Sequence, residues 1–144
     1  MAAFSKFNKF VADVANGLHH LGSDTLKIML TNTAPLVTNN VKGDITEIAA
    51  GHGYTAGGLN VPIASCANGT GTSAGICFLL PSNNVVFTAS GGPIGPFQYA
   101  VMYNFTAPAN NLVCFWDTGV SQTITSGNTF TINLDGTNGI LQIN

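Results

Sequence analysis

The sequence predicts a mainly β fold: a β-sandwich, jelly-roll-like, with one N-terminal amphipathic helix. Two patterns predict it. Apolar residues follow spacings of three and four as far as Leu18, then change to a two-residue period after Thr25. Beyond that point, short strand-like runs recur at intervals of about 8–12 residues, with Gly-, Asn-, Pro- and Ser-bearing turns between them, as in an all-β sandwich or barrel. The length suits one domain, 1–144, made of an N-terminal helix or arm over 1–20 and a β-sandwich over 21–144.

The helix is placed over Phe4 to Leu18. Phe4, Phe7, Val11, Val14 and Leu18 form its apolar stripe, Phe10 widens it, and Lys6, Lys9, Asp13 and Asn16 take the other side. Gly17 supplies the stop. Leu26, Ile28 and Leu30 then alternate with Lys27 and Met29 in a half-buried strand. A loop pinned by Pro35 follows, and Asp44-Ile-Thr-Glu47 predicts a short helical turn with Asp44 as cap and Glu47 three residues on. Further strands are expected at Leu59–Cys66, Gly75–Leu80, Val85–Ser90, Phe97–Phe105, Leu112–Asp117, Ser121–Thr125, Thr129–Leu134 and Ile140–Asn144. Phe97–Phe105 is apolar on both faces, which suits a central strand between two layers.

Composition bears on function more than any motif does. Only 7% of the residues are charged, against roughly 25% in an ordinary soluble domain. Polarity comes from Asn, Thr, Ser and Gln, whose amides and hydroxyls are far cheaper to desolvate than charges. Such a surface suits a protein covered by neighbours. The formal net charge is −2, there is no arginine, and Lys6, Lys9, Lys27 and Lys42 are the whole stock of lysine. Nucleic acid is therefore an unsuitable partner. No stretch suits a membrane span, and the start MAAFSKFNKF lacks the features of a signal peptide.

Candidate chemistry is sparse. No serine sits in Gly-x-Ser-x-Gly, and Gly69–Gly75 lacks the lysine of a phosphate loop. Adjacent His19 and His20 point apart, and His52, Cys66 and Cys77 match no short zinc motif. The sequence therefore predicts no catalytic group, cofactor or metal. Paired carboxylates for glycoside hydrolysis would have to be Asp117 with Asp135, or Asp44 with Glu47; all four more simply mark strand ends and turns. Trp116 with Tyr54, Tyr99 and Tyr103 reads either as a sugar-stacking platform or as core between sheets, the latter being commoner. Three widely spaced cysteines read as small buried hydrophobes, with a Cys66–Cys77 bridge left open. Asn68-Gly-Thr and Asn104-Phe-Thr match the glycosylation sequon but read as ordinary loop and strand-end residues.

The partner contact is expected at the N-terminal segment, through Phe4, Lys6, Phe7, Lys9, Phe10 and Val11. Three phenylalanines within seven residues must dock on something: the chain's own core, or another subunit.

Several segments together resemble a family of small tailed-bacteriophage virion structural proteins. They are Phe7-Asn-Lys-Phe10, Leu21-Gly-Ser-Asp-Thr-Leu-Lys27, Met29-Leu-Thr-Asn-Thr-Ala-Pro35, Asp44-Ile-Thr-Glu-Ile48, Gly53-Tyr-Thr-Ala-Gly-Gly58, Phe87-Thr-Ala-Ser-Gly-Gly92, Gly95-Pro-Phe97, Tyr99-Ala-Val-Met-Tyr-Asn104, Trp116-Asp-Thr-Gly119 and Asp135-Gly-Thr-Asn-Gly139. The resemblance runs over nearly the whole chain. It departs at Ser65–Leu80, where the Cys- and Gly-rich loop is longer, and at Phe115-Trp116, where the family pattern has two tryptophans. It implies a non-enzymatic capsid decoration (cement) protein on the virion surface, made in the host bacterial cytoplasm. It also implies a homo-dimer or homo-trimer whose partners are the major capsid protein and sister subunits. The alternative is a tail-associated or carbohydrate/receptor-binding module.

Overall fold

The computed structural model describes residues 3–143. Its strands are β1 (Ala3–Lys6), β2 (Leu26–Thr31), β3 (Leu59–Asn60), β4 (Ile63–Asn68), β5 (Cys77–Pro81), β6 (Val85–Thr88), β7 (Ile94–Asn104), β8 (Leu112–Ile124), β9 (Thr129–Ile132) and β10 (Gln142–Ile143). One α-helix, α1 (Phe10–Ala15), lies between β1 and β2. The fold is mainly β, as the two-residue period predicts. Every expected strand after Leu18 has a counterpart; Asn144, the last residue of the final predicted run, lies outside the described residues.

Three antiparallel sheets carry the chain. The largest has the order β1-β8-β7-β2-β3, a second has the order β10-β5-β4, and β6 pairs with β9. This order is a layered β arrangement and gives no support to a jelly roll in particular. The two faces of the five-stranded sheet explain why β7 is apolar on both sides. On one face Leu26, Ile28, Leu30, Ala100, Met102 and Cys114 join Leu79, Val85, Phe87, Ile132, Ile140 and Leu141 from the smaller sheets in one buried cluster. On the other, Met29, Val101, Tyr103, Leu112 and Phe115 pack with Phe7, and Ile45 lies against them. Both faces are therefore covered, and the strand pattern loses its polar half.

The predicted helix over Phe4 to Leu18 is corrected. Only Phe10–Ala15 is helical, and Ala3–Lys6 is a strand, with Phe4 opposite Trp116 and Lys6 opposite Cys114 on β8. Phe4, Phe7 and Phe10 fall every three residues, a spacing that drifts by about 60° per step round a helix of 3.6 residues per turn. A sheet edge offers the same residues full hydrogen bonding and aromatic cross-strand neighbours. The strand end expected at Asp117 is corrected too, and the runs Leu112–Asp117 and Ser121–Thr125 join in one strand. Gly119 takes a positive φ of 86° and β8 runs on to Ile124.

The turn at Asp44 is also redrawn. The 3-10 turn is Lys42–Asp44, so Asp44 ends it rather than starting it. Its carboxylate reaches back to accept from Asn40 N–H at 2.8 Å and Val41 N–H at 3.1 Å. Those bonds hold Asp44 below the ordinary carboxylate range.

Candidate attachment surface

The N-terminal residues expected to meet a partner divide into two sets. Phe7 and Phe10 are 1% and 0% exposed and belong to the chain's own core. The Phe7 ring packs against Phe115 at 5.2 Å between centroids, and that of Phe10 against His19 at 5.3 Å. Phe4 and Val11 stay 42% and 52% exposed, and Lys6 is also exposed. Lys9 is engaged, at 2.8 Å from the Asp13 carboxylate.

The backbone of β1 is as informative as its side chains. Phe7 N–H donates to Val113 C=O at 3.2 Å, so Phe7 faces β8 with its backbone polar groups. An antiparallel ladder alternates inward and outward groups. Ser5 therefore bonds toward β8, while the N–H and C=O of Phe4 and Lys6 point off the sheet. Asn8, next in the outward series, donates to Val37 C=O at 2.8 Å, which closes the edge at that end. Among the described residues, nothing pairs with the outward groups of Phe4 and Lys6. The result is a short, open sheet edge ending in a half-exposed phenylalanine.

Phe4 also opens onto a cleft. Its ring stands 5.8 Å from that of Trp116, inclined at 59°. The cleft, of about 560 Å³, lies between the β1-β8-β7 face and the segment from β9 to Ile140. Phe4, Trp116, Phe130, Gln122, Asn133 and Asp135 are among its walls. The aromatics considered as one platform are thus dispersed. Trp116 is half-buried in this cleft and Tyr99 is half-buried on the opposite sheet face. Tyr54 and Tyr103 are core residues.

All six carboxylates accept hydrogen bonds from their own chain. Asp13 takes Lys9 at 2.8 Å and Asn111 at 2.9 Å. Asp24 takes His20 N–H and Asn104, and Asp44 caps its own turn. Asp117 takes Gln98 and Gly119 N–H, and Asp135 takes Thr137 and Asn138 N–H. Asp117 therefore links β8 to Gln98 of β7, and Asp135 braces a local turn. Asp135 is held below the ordinary range by the backbone and side chain of Asn138 and by Thr137 N–H.

Glu47 is the carboxylate that gathers donors from three separate places, whereas the sequence suggested for it a capping part or, less simply, a pairing with Asp44. It accepts from Lys42 at 2.8 Å, from Tyr54 O–H at 2.7 Å and from Gly57 N–H. Burial raises its pKa, but these three donors and the Lys42 charge outweigh burial and leave it lowered. Tyr54 Oη in turn accepts from Leu30 N–H at 3.0 Å, and Tyr103 O–H donates to Gly57 C=O at 2.8 Å. The network ties the loop ending at Gly58 onto β2. A Cβ on Gly58 would collide with Ile28 C=O, and its φ is 73°, so only glycine fits the approach. In the sequence, the paired glycines of Tyr54-Thr-Ala-Gly-Gly58 mark the tight approach of this loop but not the carboxylate that its tyrosine and backbone meet.

A second buried network surrounds His19. Asn104 Nδ2 lies 3.0 Å from His19 Nδ1 and donates to Asp24 at 2.6 Å, while His19 Nε2 is buried without a partner. Burial lowers the His19 pKa against the opposing charges of Asp13 and Asp24, so the ring is neutral at neutral pH. His20 is exposed, and His52 sits exposed in a turn with φ of 54°. Cys66 and Cys77 bring their sulfurs to 2.9 Å, whereas Cys114 is buried alone. Among the described residues, no three His, Cys, Asp or Glu side chains are placed to share a metal ion. No helix there is long and apolar enough to cross a membrane. No family model, curated protein or solved structure significantly matches the chain.

Proposed function

We propose that this chain is a non-enzymatic virion structural protein, a decoration or cement protein that oligomerises and binds the outer surface of a tailed-bacteriophage capsid. Its partners in this reading are the major capsid protein and sister subunits in a homo-dimer or homo-trimer; neither nucleic acid nor membrane takes part. The observation that carries the reading is the open β1 edge, with the outward groups of Phe4 and Lys6 unpaired beside the half-exposed Phe4 ring. A neighbouring chain adds a strand there, with backbone hydrogen bonds supplying affinity and the Phe4 side chain supplying register. Two further features support it. A chain with only 7% charged residues and a formal net charge of −2 lets many copies crowd on a shell with little like-charge repulsion. The six carboxylates are committed to bracing loops, and those whose pKa moves are moved down, away from the raised values of a general acid.

Quantitative protein analysis of purified particles tests this. A shell component should be present in on the order of hundreds of copies, matched to the lattice; a handful would place it in the tail. The second reading, a tail-borne carbohydrate- or receptor-binding module, is favoured by the Trp116–Phe4 cleft. Trp116 is the single tryptophan, so its fluorescence reports that cleft directly. Saturable quenching by oligosaccharides, together with low copy number, would favour this second reading.

A further inference from the structure

β4 and β5 form a hairpin, and residues 67–76, from the end of β4 to the start of β5, are small and polar with three glycines, closed by a single larger apolar residue, Ile76. Its base is held by Gly69 N–H donating to Ile76 C=O at 2.8 Å, and a 3-10 turn, Gly71–Ser73, fills the tip. Such a stretch has much backbone freedom to lose on folding. The two half-buried cysteines bracket it. Cys66 stands opposite Leu79 and Asn68 opposite Cys77, so both thiols lie on the face that carries Leu79 into the core. They are diagonal neighbours, and their sulfurs are 2.9 Å apart. A disulfide bond is about 2.05 Å long, so less than about 1 Å of movement separates contact from bonding.

We propose that Cys66 and Cys77 are a redox modification site, a thiol pair that closes into a reversible disulfide across the β4–β5 hairpin, with a low-molecular-weight disulfide as oxidant. Oxidised glutathione is a suitable reagent. Burial, with Cys77 beside it, pushes the Cys66 thiol up to about 12, and the 2.9 Å contact lets either sulfur resolve a mixed disulfide formed on the other. The thiolate of one cysteine of the pair attacks one sulfur of the reagent, the reagent's S–S bond breaks, and one glutathione thiol leaves. The other cysteine then gives up its proton and attacks the glutathionylated protein sulfur, expelling the second glutathione. Two protein S–H bonds and one reagent S–S bond become one protein S–S bond and two reagent S–H bonds. The protein loses two electrons and two protons, and the reagent gains them. Cys114, buried alone, has no partner for this reaction. The proposal stands whether or not the chain belongs to a capsid.

The test is to incubate the folded full-length protein with oxidised glutathione, then denature and alkylate it without reductant. The expected product carries one alkylated cysteine, Cys114, weighs two hydrogens less than the reduced chain before alkylation, and yields a peptide joining Cys66 to Cys77. Three alkylated cysteines, or glutathione held stably on Cys66 or Cys77 of the unaltered chain, would overturn the proposal. C66S and C77S should instead trap glutathione on the remaining cysteine of the pair, released by reductant; no adduct in either variant would overturn the exchange route. Proteolysis within residues 67–76 should slow about tenfold in the oxidised form, and equal cleavage of both forms would remove the claim that the bond restrains the loop.

Discussion

Strands β7 and β1 belong to the same sheet and meet the rest of the molecule in opposite ways. β7 pairs on both edges, with β2 and β8, and its residues Ala100 to Tyr103 are buried on both faces. β1 pairs on one edge only, and its Phe4 and Lys6 offer backbone groups outward. Both segments are rich in aromatic and aliphatic side chains. The difference teaches that apolar content measures how much surface must be covered, while topology decides by what. For β7 the cover is its own chain. For β1 it is only half so: Phe7 and Phe10 turn inward just after the strand, and Phe4 remains at the rim.

Truncation should separate the two halves of that segment most strongly. Phe10→Ala removes a fully buried ring from the main cluster and should cost about 3–5 kcal/mol of stability; Phe7→Ala should fall in the same range. Phe4→Ala removes a ring that is 42% exposed and should cost about 1 kcal/mol or less, while weakening assembly. Urea unfolding of the three variants checks the ranking. A Phe4→Ala loss as large as that of Phe10→Ala would erase the distinction between core and rim.

The next effect concerns how the sheet's covered faces are held. Glu47→Ala leaves Tyr54 O–H, Gly57 N–H and Lys42 without their shared acceptor, a loss of about 2–4 kcal/mol for a half-buried charged hub. Glu47 also gives a pH dependence whose sign is fixed. Its folded pKa is lower than the ordinary value of 4.5, so the folded state favours the carboxylate. That stability is complete above about pH 4.5 and drains away as pH falls through the lower folded value. Asp13, lowered from 3.8, acts in the same direction: burial raises it, and Lys9 and Asn111 outweigh that. Glu47→Gln should flatten the acid side of the stability profile, measured as urea midpoints between about pH 5 and pH 2. An unchanged slope would mean that Glu47 is equally at ease when protonated.

Much of this architecture was legible in the residues. The two-residue period after Thr25 and the turn clusters located β2 and the strands from β3 to β10 closely, because alternation and Gly- or Asn-borne turns are local properties. The apolar faces of Phe97–Phe105 foretold a central strand. The N-terminal element was not legible: an apolar stripe at spacings of three and four is satisfied both by a helix and by a strand followed by a short helix. Only the presence of β8 as a pairing partner, more than a hundred residues away, decides between them. The candidate surface followed the same division. Phe4 and Val11 remain exposed as a contact surface requires, while Phe7 and Phe10 went to the interior for the same reason that the helix was shortened. The Glu47 network escaped because its donors come from three separated places, Lys42, Tyr54 and Gly57, and no spacing rule joins them.

The finest distinction lies within β1 itself, where adjacent residues face different neighbours. Ser5 N–H points toward β8, and Lys6 N–H points away from it, as the Phe7-to-Val113 hydrogen bond and ladder alternation require. Proline removes one donor and prefers an extended residue before it, which a strand supplies. Lys6→Pro therefore deletes an outward donor while leaving the β1–β8 bonds intact, and proline is tolerated at such positions of edge strands. Its stability cost should be within about 1 kcal/mol. Ser5→Pro deletes a bond to β8 and should cost about 1–2 kcal/mol, peeling the strand from the sheet. Attachment should respond differently. If a neighbouring chain extends the sheet at β1, Lys6→Pro should weaken self-association or shell binding by about tenfold or more, equivalent to ~1.4 kcal/mol and the loss of one outer hydrogen bond. Lys6→Ala, which keeps the N–H, should bind nearly as well as the unaltered chain. The lysine charge is then a guard against indiscriminate edge pairing rather than a source of affinity, and binding should change little with salt. Equal binding by Lys6→Pro and Lys6→Ala would show that the outer edge of β1 is not where the neighbour joins.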